Sequence, residues 1–228
     1  MPGDGDRLGA GLGILGVAGN ALGVVALGDV PGAYRPDGLA QWAQGALAHP
    51  GATVVSAVAF TVGLLALAGW ARSLGPRLGG RRGALAAGAM AAGALVNAAG
   101  TLAPAILVLH VAPACGAEGC GAVARALLGA TLSLDALFDL AFGAGLLLAG
   151  AALLAAGRAR GLGGLGLWAG LATVPVAGQI AWAWAARWLL LAGPLWLAFV
   201  LLASALLWRG GGRADSTAGG GHALARTG

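Results

Sequence analysis

Six long apolar stretches, with arginine gathered on every second connection, limit what this chain can fold into more than any other feature. A bilayer core about 30 Å thick takes roughly 20 apolar residues per helical span. Inside it, backbone polar groups must be satisfied within helices or a closed barrel. The runs here are continuous and not alternating, which selects helices. They predict spans at about residues 8–30, 52–71, 83–111, 123–157, 162–184 and 188–208. The fold class is therefore all-α, a six-transmembrane-helix bundle over residues 1–209, followed by a Gly-rich disordered tail over 210–228. Composition agrees: 59% of the 228 residues are hydrophobic and only 9% charged, against about 25% charged in soluble domains.

Arginine then assigns the sides. All 13 basic residues are Arg. If the chain crosses six times, Arg7, Arg72, Arg77, Arg81, Arg82, Arg158, Arg160, Arg209, Arg213 and Arg226 fall on one side. Arg35, Arg125 and Arg187 fall on the other, beside Asp29, Asp37 and Glu118. Ten against three is a positive-inside bias. It places both termini in the cytoplasm. Trp70, Trp168 and Trp208 then mark the inner interface, and Trp182, Trp184 and Trp188 the outer one. The net charge of +5 does not read as a nucleic-acid surface, because the arginines sit dispersed at span ends. Membrane lipids are the expected partners, with no nucleic acid.

A cleaved signal peptide is the competing reading of the first span. Asp4 and Asp6 before Arg7 make a poor positive n-region, and the apolar run is long for an h-region, so an uncleaved helix is expected. In the outer connection, GLAQWAQGALAH (38–49) places Leu39, Trp42 and Leu47 at near-helical spacing. It reads equally as an amphipathic helix on the outer membrane surface or as an irregular loop. The pairs Gly9/Gly13, Gly19/Gly23 and Gly166/Gly170 let helix backbones approach closely. Packing within the bundle is the leading reading, and a homo-oligomer through small-residue faces is the other. Pro104, Pro175 and Pro194 are expected to kink or open the third, fifth and sixth spans.

Few polar residues could carry chemistry. Asp135 and Asp139 share one helix face in SLDALFDLAF, and an intramembrane carboxylate is costly enough to suggest function. Counting about 20 residues back from Arg158 puts Asp139 at the outer edge and Asp135 at or beyond the headgroups. That favours a capping or interfacial role over proton relay. His110, counted likewise from Arg82, sits at the outer end of the third span. Asn97 and Gln179 fall in the same outer half and could share a polar pocket with the aspartates, whereas Asn20 and Thr101 read as interhelical glue. A haem needs two axial ligands, and His49 and His222 lie outside the spans. Zinc held by Cys115, Cys120 and His110 would lack a fourth ligand. No cofactor, metal or catalytic residue is expected, since no P-loop, nucleophile elbow, HExxH or dinucleotide fingerprint occurs.

Cys115 and Cys120 close a short outer loop, CGAEGC, in an oxidising compartment, and are expected to form a disulfide. Thiol titration of the denatured protein should find neither cysteine reactive before reduction and both after it.

The stretches PDGLAQWAQGALAHPGATVVSAVAF, SLDALFDLAFGAGLLLAGAAL, GLGLWAGLATVPVAGQ and GPLWLAFVLLASALLWR resemble a bacterial family of six-helix integral membrane proteins of unknown function. That resemblance implies a multi-pass cytoplasmic-membrane protein with no known activity and no family catalytic residues. The leading expectation is a non-enzymatic accessory or envelope component. The alternative is a small proton- or cation-coupled transporter using Asp135 and Asp139.

Overall fold

The computed structural model describes residues 4–210 apart from residues 29, 32, 36, 37, 120, 158 and 182. Among these the chain is helical, without a strand. Six helices are long and apolar enough to cross a membrane. The first is α1 (Asp4–Leu27) and the second α3 (Pro50–Leu78), with a short α2 (Leu39–Ala48) between them. The third begins as α4 (Gly80–Gly100) and resumes as α5 (Ala103–Ile106) after a break. It then widens into a π turn (Leu107–Val111) and continues into α6 (Ala112–Gly119). The fourth is α7 (Gly121–Ala155). The fifth is α8 (Arg160–Thr173), prolonged by a 3-10 segment (Val174–Ile180). After a second 3-10 stretch (Ala183–Trp188), α9 (Leu189–Gly210) is the sixth.

Each span packs on the next in sequence, and α9 returns to α1, which closes a ring. Its interior holds Leu67, Trp70, Met90, Phe142, Leu146 and Phe199. Val25, Trp168 and Leu190 stand exposed on the outside. In water such a surface would drive association, whereas in a bilayer the lipid is its solvent. The glycines read from the sequence work inside this ring. A side chain on Gly19 would strike Gly63, on Gly166 would strike Gly150, and on Gly170 would strike Gly143.

Several details differ from the expected spans. The second runs past Arg72 and Arg77 and stops only at Gly79, whose φ of 74° no helix adopts. The extra turns let Arg77 donate to both carboxylate oxygens of Asp6, tying the ends of α1 and α3. Trp70 is not an interfacial anchor but is fully buried, edge-on to Phe199. Trp168, Trp184, Trp188 and Trp208 are the exposed ones. Residues 39–48 are helical, yet the apolar face of α2 lies on the bundle and not on lipid. Trp42, Ala43 and Ala46 join Val30, Leu107, Leu128 and Leu132 in a second apolar cluster. The overlong third and fourth spans are thus the scaffold for a cap at one end of the bundle.

Pro104 explains the break in the third span. It has no N–H for the carbonyl of Gly100, four residues earlier. The hydroxyl of Thr131 on α7 donates to that oxygen at 3.1 Å. Thr101 donates to Ala98 O at 3.0 Å and meets Thr61 at 2.9 Å. In lipid a freed carbonyl needs such a donor. Pro175 likewise ends α8 as an α-helix, whereas α9 continues through Pro194. Asp29, Asp37, Cys120, Arg158, Trp182 and the tail from residue 211 lie outside the described residues.

Candidate functional site

The site is built where α4, α7 and the 3-10 end of the fifth span converge. On α7 the buried positions Thr131, Phe138, Asp139, Phe142 and Leu146 recur at helical spacing, so Asp139 points into the ring. Asp135, one turn earlier, is half-buried on the same side. The backbone of α4 comes close because Gly93 and Gly100 flank Asn97 on one face. A Cβ on Gly93 would meet Ala141 Cβ at 3.1 Å, and one on Gly100 would meet Leu134 Cβ at 2.9 Å. The short Asn97 side chain therefore reaches across.

Gln179 arrives by a different route. The fifth span touches α7 at Gly143, where a Cβ would meet Val174 N at 3.2 Å. From there α7 rises to Asp135 by about 12 Å at 1.5 Å per residue. The 3-10 segment climbs from Val174 to Gln179 by about 10 Å at 2.0 Å per residue, nearly the same height. Continued as an α-helix, the same five steps would gain only about 7.5 Å. The change of helix type at Pro175 is what lifts Gln179 to Asp135.

The result is a bracketed carboxylate. Asn97 Nδ2 donates to Asp135 Oδ1 at 2.8 Å, and Gln179 Nε2 donates to Asp135 Oδ2 at 3.0 Å. Asn97 and Gln179 are 4% and 3% exposed. Asp139, 5% exposed, is placed otherwise: its Oδ2 has no hydrogen-bond partner, and neither has Asn97 Oδ1. The two carboxylates are close enough to repel when both are charged. A buried charge is stable only when paired, coordinated or neutralised. The arrangement can therefore fix one carboxylate with amide donors and hold a proton or cation at the other.

Tyr34, from the outer connection, closes the group. Burial, and then the negative charge of Asp135, push its hydroxyl pKa upward. Its φ of 56° is left-handed, a conformation that costs a non-glycine residue about 1–3 kcal/mol. The ring is held there by Trp42 at 4.9 Å and Phe60 at 6.2 Å between centroids.

The structure thus brings together Asp135, Asp139, Asn97 and Gln179. Asp139 is buried, and Asp135 is half-buried with both oxygens on the amides, an enclosure that the count from Arg158 did not consider. That count ignored the cap formed by α2 and the residues around Tyr34. His110 is not part of the group: it is exposed in the π turn, and among the described residues no hydrogen bond joins it to Asp135. Cys115 is exposed on α6, and its expected partner Cys120 lies outside the described residues. Tyr34 escaped the sequence reading. Its only signal there was being the single tyrosine of the chain.

Ring and site together define a helical protein with six candidate membrane spans around a buried carboxylate pair. Comparison with known proteins finds no matching family model, no similar curated protein and no similar solved structure.

Proposed function

We propose that this chain is a small multi-pass transporter that couples solute movement to a proton or a cation, with Asp135 and Asp139 as the ion-handling pair. The observation that carries this reading is the buried, unpartnered Oδ2 of Asp139 beside an Asp135 anchored by two amides. Intramembrane carboxylates facing a bundle interior mark ion pathways and proton relays. The accessory-component reading rests on missing motifs alone, whereas the carboxylate pair is a positive feature that such a role leaves unexplained. The arginine bias puts the termini in the cytoplasm and the site in the outer half of the membrane.

The test uses purified full-length protein in proteoliposomes on a solid-supported membrane. Jumps in proton or sodium concentration are applied alone and with a panel of sugars, amino acids and organic cations. A charging current above that of protein-free vesicles is expected, falling at least tenfold in Asp135→Asn and Asp139→Asn. Currents absent across the whole panel, or unchanged in both variants, would overturn the transporter reading.

A further inference from the structure

We infer that the ion held by this site is a proton, and that Asp139 carries it while Asp135 remains the fixed anion. The inference deepens the proposed function and rests on it for the site's role, but it makes a separate claim about chemistry.

The two aspartates have opposite surroundings. Both oxygens of Asp135 accept hydrogen bonds from side-chain amides, Asn97 at 2.8 Å and Gln179 at 3.0 Å. Donors on both oxygens favour the ionised form of a carboxyl group. Asp139 Oδ2 receives no donor and is buried.

Asn97 links them. Its amide nitrogen is committed to Asp135, which leaves Oδ1 as a buried acceptor with no donor. Two buried acceptors, Asp139 Oδ2 and Asn97 Oδ1, thus remain without a donor. A hydrogen added to Asp139 Oδ2 removes the buried charge and converts that bare acceptor into a donor.

A metal cation fits less well. Hard divalent cations take roughly six to eight oxygen ligands. No group of three or more His, Cys, Asp or Glu side chains occurs among the described residues. Among the described residues, the titratable groups seen to act on the pair are each other and Tyr34 against Asp135. The proton comes from bulk water as the Asp139 O–H bond forms and returns to water as it breaks, with no other bond changed.

Infrared spectroscopy of the reconstituted protein reads this directly. A buried aspartic acid shows a protonated carboxyl C=O band, shifted to lower frequency in deuterium oxide. The band is expected in the wild type and in Asp135→Asn, and its loss is expected in Asp139→Asn. Asp139→Leu, an apolar side chain for a buried position, is the second variant should Asp139→Asn fail to fold. No band in the wild type, a band surviving both Asp139 variants, or a band lost in Asp135→Asn would overturn the assignment. The measurement needs no solute or gradient, so the two readings fail separately. A band without transport currents defeats the transporter alone. Currents driven by sodium without the band defeat the proton alone.

Discussion

Gly150→Val is expected to lower the unfolding stability of the bundle by about 3 kcal/mol, the upper end of ordinary overpacking costs. A Cβ at Gly150 would lie 2.6 Å from Gly163 O and 2.7 Å from Leu167 N, both backbone atoms of α8. Backbone cannot retreat by changing rotamer, so the helices must separate. In lipid the penalty matters more than usual, because close van der Waals packing carries much of the drive for helix association. The damage should also reach the site, since the α7–α8 approach sets the position of Gln179 beside Asp135. Gly88→Val on α4 is the control: nothing lies within 4 Å of a Cβ there, and a change within about 0.5 kcal/mol is expected, as for ordinary surface substitutions. Denaturant unfolding in bicelles would show the difference. Equal stability of the two variants would mean that the α7–α8 crossing is looser than this geometry requires.

The number of spans was legible because lipid imposes a length on every helix that crosses it, and an 18-residue apolar window carries that length openly. Asp135, Asp139, Asn97 and Gln179 were legible as intramembrane polar residues in the same outer half, and they do converge. What counting along the chain could not supply was the depth of protein around them. A ruler drawn from Arg158 treats α7 as a lone helix in a slab. It misses that Trp42 on α2 and Tyr34 join Leu128 and Leu132 in one apolar cluster on the N-terminal part of α7, which adds protein around that end. Helix type was legible only in part. Pro175 marked where the fifth span would open, but not that a 3-10 segment would follow and raise Gln179 to Asp135. Pro104 marked the break in the third span, yet the Thr131 hydroxyl that repairs it lies 27 positions later. Such pairings are tertiary, and a span's own periodicity holds no trace of them. His110 misled for the converse reason: a position along a span says nothing of facing, and its side chain is exposed.

Removing the two carboxylates should have unequal effects on stability. Asp135→Ala is expected to cost about 1–2 kcal/mol, because the Asn97 and Gln179 amides lose their acceptor while buried. Interhelical hydrogen bonds in membranes average about 0.6 kcal/mol and reach about 1.7, so two of them are worth about 1.2 kcal/mol together and no more than about 3.4. Asp139→Ala removes an oxygen that no donor meets, so it should stay within about 0.5 kcal/mol of wild type, or gain. Asp135→Asn should fall between wild type and Asp135→Ala. It keeps one acceptor oxygen for one amide but presents an NH2 group to the other, donor against donor. The order of stability expected from unfolding in bicelles is therefore Asp139→Ala near wild type, then Asp135→Asn, then Asp135→Ala. An Asp139→Ala variant as unstable as Asp135→Ala would mean that Asp139 is also structurally anchored. In that case the division between a fixed anion and an exchangeable site collapses.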